Sequence, residues 1–272
     1  MADDLLSTEQ VAVFPDADLS TWLGVSQIVQ TLERRLPFVV PVETRLRWWE
    51  ALGDVVSARL SRGHAPMYER MLELRDPARQ QAAILFADLE ASSELSRRLS
   101  SRAYFALIRS LSDLVDAAVI ANGGLIGKHA GDGASALFVV DGVDAESAAA
   151  RGAIDAARRI RDGAAGLLDD ATDVLVNVGL HWGATLTIGQ VSSYGRLEVT
   201  ALGDEMNEAA RIEAVATNGR ILASKDLLER LGPEDADALG LELAHVHFTA
   251  VRSLGADSKA LRDAGSIAVA EI

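Results

Sequence analysis

Hydrophobic side chains after residue 80 alternate between two spacings, and this alternation limits the possible fold more than any other feature. Short apolar runs have the length of buried strands, and longer stretches with apolar residues every three or four positions have the pattern of amphipathic helices. Their order along the chain is strand, helix, hairpin, helix, strand. This order predicts an α+β fold, a ferredoxin-like βαββαβ sandwich with extra C-terminal strands.

The predicted elements follow one another with short connections. Strands are expected at residues 82–88, 173–183, 185–192, 197–203, 220–224, 241–251 and 266–272, and helices at 101–121, 144–160, 205–216 and 226–231. Tyr104 and Phe105 fall on the apolar face of the long helix 101–121, which we expect to be buried. The helix should end at Asn122-Gly123-Gly124, because glycine favours the residue that follows a helix.

The N-terminal part of the chain has a different pattern. Two amphipathic stretches at helical spacing are separated by Pro37 and Pro41. The sequence therefore predicts a small helical segment over residues 1–78, followed by the α+β domain over residues 79–272.

Composition excludes several classes of protein. The chain has no cysteine, so disulfides, thiol catalysis and cysteine–zinc sites are excluded, and a reducing compartment such as the cytoplasm is expected. No apolar run reaches the roughly 18 residues of a membrane span, and the first residues lack the pattern of a secretory signal. The formal charge of −14 and the lack of a basic surface argue against nucleic acid as a partner.

The stretch LIGKHAGDGASALF (125–138) places Lys128 and Asp132 in an otherwise apolar, glycine-containing hairpin. A phosphate-binding P-loop is the first interpretation, and it fails on two positions. Asn122 stands where that motif needs glycine, and His129 stands where it needs serine or threonine.

A divalent metal site is the second interpretation of the hairpin. Asp88 and Asp132 both lie at strand ends, and neighbouring strands would bring the two carboxylates to one edge of the sheet. Hard oxygen ligands of this kind suit Mg²⁺ or Mn²⁺, with water and a substrate phosphate completing the coordination. On this interpretation His129, which points to the other face of the strand, is structural.

A third segment, TALGDEMNEAAR (200–211), opens a predicted helix. Asn207 and Arg211 are four positions apart and project from one helix face. Arginine suits a phosphate oxygen, and asparagine can orient a sugar or a water. A solvent-exposed polar stripe that includes Glu208 and Glu213 is the alternative, and this segment alone does not decide between them.

Together, the three segments resemble the catalytic domain of the class III nucleotidyl cyclases, the adenylyl and guanylyl cyclases, over roughly residues 80–272. FADLEASSEL (86–95) is similar to the first metal-binding segment of that family, and KHAGDGASALF (128–138) is similar to its lysine–glycine–aspartate hairpin. TALGDEMNEAAR is similar to the segment that recognises the base and stabilises the transition state.

The resemblance implies a role for each matched residue. Asp88 and Asp132 would bind two Mg²⁺ or Mn²⁺ ions, with help from the backbone carbonyl of Leu89. Lys128 and Thr200 would contact the purine and select adenine, as in many bacterial adenylyl cyclases.

The other matched positions lie around the phosphates. Asn207 would orient the ribose and Arg211 would stabilise the transition state, while Ser93 can bond a phosphate. Ala91 departs from the family, which usually has glycine in this loop. Alanine there would be strained if the loop requires a positive φ.

The resemblance also implies an adenylate cyclase that converts ATP to cyclic AMP at the interface of a homodimer. The metal-binding aspartates of one subunit would meet Lys128, Thr200, Asn207 and Arg211 of the other, and residues 1–78 would set how the subunits meet. Two alternatives stay open: a cyclase for GTP or a pyrimidine triphosphate, and a weakly active nucleotide-binding domain that signals through a partner.

Overall fold

The computed structural model describes residues 76–142, 145–168, 174–193, 196–255 and 258–272, together with residues 67, 70, 71, 73 and 74. The chain divides into two compact units, residues 1–69 and residues 70–272, and the fold described is that of the second unit. Nearly all of the predicted helical segment 1–78 lies outside the described residues, so that segment stays a prediction.

One eight-stranded sheet is the centre of the second unit. Its strands are β1 (Ala78–Leu89), β2 (Leu125–Ala130), β3 (Gly133–Val139), β4 (Val176–Ser193), β5 (Arg196–Leu202), β6 (Ile221–Ser224), β7 (Thr249–Ala250) and β8 (Ala268–Glu271). Seven of them lie in the order β2-β3-β1-β4-β6-β8-β7, and β5 pairs with β4. β4 and β6 run parallel, whereas the other paired strands run antiparallel.

Helices cover both faces of this sheet. Between residues 90 and 272 they are α1 (Ser92–Arg98), α2 (Ser101–Ala121), α3 (Glu146–Ala164), α4 (Asp204–Ala214), α5 (Lys225–Leu228), α6 (Pro233–Ala238) and α7 (Ser258–Ala264). α2 and α3 bury their apolar stripes against one face, in the main core. α4 and α7 lie on the opposite face, where Ile212 and Ala264 pack with Leu222 and Val269 in a smaller core. Within the described residues, no helix combines the length and the apolar character needed to cross a bilayer.

The long helix α2 matches its predicted bounds, because its two ends carry strong signals. The Ser100 hydroxyl accepts a hydrogen bond from the N–H of Ala103 at 3.2 Å, and Gly123 follows the helix with a φ of 76°. The prediction for Phe105 is wrong, since its side chain is 65% exposed. The buried stripe starts at Leu107, and a residue two positions away points to the other side of a helix.

Two strand predictions also need correction. The expected strands 173–183 and 185–192 are one continuous strand, β4. The predicted strand 241–251 is wrong, because those residues form a 3₁₀ turn at Leu243–His245 and only the two-residue strand β7. The partly buried apolar residues there recur at spacings of two, three and two rather than in strict alternation; they are Leu241, Leu243, Val246 and Phe248. The α+β prediction, with its βαββαβ order and extra C-terminal strands, is confirmed.

Candidate functional site

Asp88 and Asp132, the two predicted metal ligands, lie where neighbouring strands meet the same edge of the sheet. Asp88 is the penultimate residue of β1, and Asp132 lies in the turn between β2 and β3. Ala87 pairs with Ala134, which places Asp88 opposite Gly133. A Cβ atom at residue 133 would come within 2.8 Å of Oδ1 of Asp88. Glycine at this position therefore lets the hairpin approach the carboxylate closely.

In the described part of the chain, no lysine or arginine forms an ion pair with either carboxylate. Burial, and next the negative charge of Asp132, raise the pKa of Asp88 to about 6, although a hydrogen bond with the backbone of Leu89 acts in the opposite direction. A partly buried carboxylate pair without a counter-ion is unfavourable unless a cation binds to it. The pair therefore fits a divalent metal ion.

The remaining metal ligands would have to come from outside the acidic side chains. Within the described ranges, no group of three or more histidine, aspartate or glutamate side chains is arranged to hold a metal ion. Ions bound by Asp88 and Asp132 would complete their coordination with water, phosphate or backbone oxygens, as Mg²⁺ commonly does. The side chain of Leu89 is buried, and its backbone pairs with Val176. Metal binding by the carbonyl of Leu89 stays a prediction.

Glu213 is a third acidic residue of this region, and the sequence places it beside a solvent-exposed stripe only in the alternative interpretation of residues 200–211. Its pKa is raised to about 8, first by burial and then by the charges of Asp88, Asp132 and Glu90. At neutral pH its carboxyl group is therefore mostly neutral. The residue that allows this burial is Gly179 on β4. A Cβ there would lie 2.3 Å from the backbone nitrogen of Glu213, so glycine lets α4 pack closely on the strand.

A cavity of about 310 Å³ opens beside Asp88 on the α4 side of the sheet. Lys128 from β2 and Thr200 from β5 line it together with Asp88, Met206 and Glu213. Small-molecule sites begin at about this volume. The structure thus brings Lys128 and Thr200 to one cavity. Asp88 of the same chain also lines that cavity, whereas the sequence predicts that Lys128 and Thr200 meet the aspartates of a second subunit.

Helix α4, which carries Asn207 and Arg211, is docked on β4 by two acidic side chains. Oε1 of Glu205 accepts hydrogen bonds from the N–H and the hydroxyl of Thr185, at 3.1 and 2.8 Å. Nε2 of the buried His181 lies 3.0 Å from Oε2 of Glu208. Nδ1 of His181 is buried without a partner in the described part of the chain. The proton of a neutral His181 therefore belongs on Nε2, which donates to Glu208.

Asn207 and Arg211 do not line the cavity that Asp88 shares with Lys128 and Thr200. The side chain of Asn207 is exposed. Arg211 is partly buried, and its Nε donates to Oδ2 of Asp263 at 3.4 Å. One chain alone therefore collects only part of the predicted site.

The loop after β1 leads into α1 through an unusual backbone conformation. Ala91 has φ 52° and ψ 32°, in the left-handed region, so the positive φ considered from the sequence is present. Ser93 lies in the first turn of α1 with an exposed side chain. It is not among the residues that line the cavity, and its contact with phosphate stays a prediction.

Tyr104 on α2 packs against the main core, as its spacing predicts, and the charges of the two aspartates act on its phenol. Burial and then the charge of Asp132 raise its pKa; hydrogen bonding with Ser92 lowers it, and the charge of Asp88 adds a smaller rise. The sequence carries no signal for this placement, because it depends on how α2 packs beside the hairpin.

His129 has the structural role predicted from its position in the hairpin. Its Nε2 lies 2.7 Å from Oδ1 of Asp116 on α2. The hydrogen bond with Asp116 raises the pKa of His129 more than burial lowers it, and the charge of Asp116 adds to the rise. The pair ties the hairpin, and with it Lys128 and Asp132, to α2.

The comparisons with known proteins agree with this geometry. Residues 74–253 match the family model for the adenylate and guanylate cyclase catalytic domain, so the chain belongs to that family. It is 28% identical to adenylate cyclase 2 of Rhizobium meliloti over 162 residues, 58% of this chain and 44% of that protein. The chain spans 32–44% of the length of the curated relatives that it matches.

Solved structures with the same fold include both adenylyl and guanylyl cyclases. The adenylyl cyclase CyaB from P. aeruginosa is 19% identical with a TM-score of 0.55, and the match covers 72% of this chain and 95% of that one. The guanylate cyclase domain of RhGC from Catenaria anguillulae, in complex with GTP, is 17% identical with a TM-score of 0.54, covering 71% and 95%. At these identities the likeness establishes the fold, the class III cyclase catalytic fold.

Proposed function

We propose that this protein is an adenylate cyclase, which converts ATP to 3′,5′-cyclic AMP and pyrophosphate with two divalent metal ions. The observation that carries the proposal is the carboxylate pair without a counter-ion, Asp88 and Asp132. Asp88 also lines the cavity that holds Lys128 and Thr200. Membership of the cyclase family gives the reaction class. The ions would be Mg²⁺ or Mn²⁺, because the ligands are oxygen atoms.

Base selection would rest on Lys128 and Thr200. A lysine ammonium only donates hydrogen bonds, and a threonine hydroxyl both donates and accepts. Lys128 can donate to a ring nitrogen of adenine, while Thr200 accepts from its amino group. Guanine presents an oxygen in place of that amino group, and Lys128 or Thr200 could donate to it. GTP is therefore the second candidate substrate.

The reaction forms a bond between the ribose 3′-oxygen and the α-phosphorus and breaks the bond from that phosphorus to the pyrophosphate oxygen. The proton of the 3′-hydroxyl leaves to water. Bound metal ions would supply Lewis acidity, which lowers the pKa of the 3′-hydroxyl and neutralises the leaving pyrophosphate. Asp88 and Asp132 hold those ions in place. Asn207 orients the ribose, Ser93 bonds a phosphate, and Arg211 stabilises the charge on the α-phosphate, a contribution of about 3–4 kcal/mol for one well-placed donor.

A homodimer would complete each site. Asn207 and Arg211 do not line the cavity beside Asp88 in their own chain, which supports a second copy as their source. Each half of the dimer would then contribute its aspartates to one site, and its Lys128, Thr200, Asn207 and Arg211 to the other. We assign the reaction to the cytoplasm, where ATP is available, and residues 1–78 to the control of how the two subunits meet.

The test is an assay of the purified protein with each of four nucleoside triphosphates, in Mg²⁺ and in Mn²⁺, with the cyclic product identified. We expect cyclic AMP from ATP, and we expect Asp88→Asn and Asp132→Asn each to lower turnover at least ~100-fold. Asp141→Asn is the control, because its side chain is 73% exposed and it follows the end of β3 opposite to the one that Asp132 precedes.

Three results would change the conclusion. Cyclic GMP as the main product would reassign the base. Wild-type turnover in either aspartate variant would overturn the metal site. Nucleotide binding without any cyclic product would favour a signalling domain of low activity, the alternative that the left-handed Ala91 supports.

A further inference from the structure

Arg211 is held by an acidic residue of its own chain, Asp263 on α7. Nε of Arg211 donates to Oδ2 of Asp263 at 3.4 Å, and the two side chains are 20% and 25% exposed. α7 lies beside α4 because Ala264 and Ile212 are both buried in the smaller core. The ion pair therefore joins two helices whose relative position is already fixed by apolar packing.

The contact uses only one edge of the guanidinium group. Among the described residues, neither terminal amino group of Arg211 has a hydrogen-bond partner, whereas Nε is occupied by Asp263. Arginine has five N–H donors in a planar fork, and four of them are on the terminal nitrogens. Within the part of the chain that the structure describes, those four are available for a phosphate, which arginine binds through two parallel hydrogen bonds.

We propose that Asp263 is a positioning residue for the proposed cyclase reaction: it fixes the plane of the Arg211 guanidinium so that the terminal amino groups face the α-phosphate. The inference rests on the proposed function, in which Arg211 acts on the transition state. An inhibitory carboxylate would occupy the terminal nitrogens and compete with phosphate. Asp263 instead occupies the nitrogen that a bidentate phosphate contact through the terminal groups does not need.

The second oxygen of Asp263 provides a matched control. Oδ1 accepts a hydrogen bond from Nε of Arg262 at 3.3 Å, and the Arg262 side chain is 69% exposed. Arg262→Gln removes one charged neighbour of Asp263 and leaves its contact with Arg211 in place. This variant should behave as the wild type in every measurement below.

The kinetic test compares Asp263→Leu, which removes the acceptor and keeps the branching at Cγ, with Asp263→Asn, which keeps one oxygen as an acceptor. We expect Asp263→Leu to lower kcat about 10-fold, with KM for the nucleotide within about twofold, because the contact acts in the transition state. Asp263→Asn should recover at least about a third of wild-type kcat. Wild-type kcat in Asp263→Leu would overturn the proposal. A rise of KM in that variant, with kcat constant and kcat/KM lowered by the same factor, would overturn it as well.

Substitution of a non-bridging oxygen of the α-phosphate by sulfur separates positioning from general damage. If Arg211 contacts that oxygen, the ratio of kcat on ATP to kcat on the α-thio analogue should be smaller in Asp263→Leu than in the wild type. A helix that is merely loosened would slow both substrates by the same factor. Equal ratios in the two proteins would therefore argue against the positioning role.

The contact itself can be observed without metal or nucleotide, through the Nε–H signals of arginine in a ¹H–¹⁵N spectrum of the full chain, assigned with Arg211→Lys. The Arg211 signal should be visible in the wild type and in Arg262→Gln, and it should be lost to solvent exchange in Asp263→Leu. An unchanged signal in Asp263→Leu would contradict the ion pair. Failure of the proposed function has a different signature, since the wild type itself would then form no cyclic nucleotide.

Discussion

Ala91 is the residue whose backbone conformation conflicts with its side chain. Its φ of 52° and ψ of 32° lie in the left-handed region, which costs a residue with a Cβ about 1–2 kcal/mol. Glycine removes this penalty but gives the unfolded chain extra entropy worth about 0.4–1 kcal/mol. We therefore expect Ala91→Gly to raise the free energy of unfolding by about 0.5–1 kcal/mol, measured by urea denaturation.

Asn218 is the matched control for this substitution, because its φ of 60° is also positive. Asparagine tolerates the left-handed region better than alanine does, so Asn218→Gly should give no gain in stability. The loop already has its left-handed conformation, and turnover of Ala91→Gly should stay within about twofold of the wild type. A glycine variant at 91 that is less stable than the wild type would contradict the assigned strain.

At the scale of elements, the pair of His129 and Asp116 makes the attachment of the hairpin to α2 depend on pH. The hydrogen bond raises the pKa of His129 above its ordinary 6.5. Its stabilisation is therefore full below pH 6.5 and is lost as the pH rises through the higher pKa of the folded state. We expect Asp116→Asn to lower the free energy of unfolding by about 0.5 kcal/mol near pH 6, because both side chains are about one-third exposed.

This difference between wild type and Asp116→Asn should shrink when urea denaturation is repeated at rising pH, up to about pH 9. His245 and Glu242 form a pair of similar length, 2.8 Å, whose side chains are about 80% exposed. Glu242→Gln should therefore leave the stability unchanged at every pH. A destabilisation in Asp116→Asn that grows with pH would have the wrong sign for a protonated histidine.

The elements that could be predicted from the sequence are those whose signals are local. The prediction for α2 is confirmed because its apolar stripe lies within its own residues and its glycine stop signal directly follows them. The strand expected at 241–251 failed because single apolar residues there pack against the core without forming a ladder. β4 continues through Gly183, a residue type that often marks an irregular position in a strand, and its pairing with β1 shifts register there. A Cβ at this position would meet Leu186 at 2.4 Å.

At the scale of the whole molecule, the residues of the candidate site also fall into those with a local sequence signal and those placed by packing. The positions of Asp88 and Asp132 could be predicted, since Asp88 lies at the end of the apolar strand β1 and Asp132 directly precedes the apolar strand β3. Each also belongs to a recognisable motif, residues 86–95 and 128–138. Glu213, Tyr104 and Asp263 could not, because their positions depend on packing between elements that are far apart in the chain.

Division of the proposed site between two subunits can be tested by mixing inactive variants. Asp88→Ala removes metal binding, and Arg211→Ala removes the transition-state contact. In a mixed dimer, one site carries both lesions and the other carries neither. With random exchange, half of the dimers are mixed and half of their sites are intact, so we expect about a quarter of wild-type cyclase activity from two inactive preparations.

The control mixes two variants on the same side of the site, Asp88→Ala with Asp132→Ala. Each site of that mixed dimer lacks one metal ligand, so no activity should return, although the subunits exchange equally well. Exchange is verified in both mixtures by differently tagged chains that are purified together. If mixed dimers of Asp88→Ala and Arg211→Ala form and stay inactive, Asn207 and Arg211 must act with the aspartates of their own chain. Helix α4 would then have to move within one subunit to bring Arg211 to the cavity.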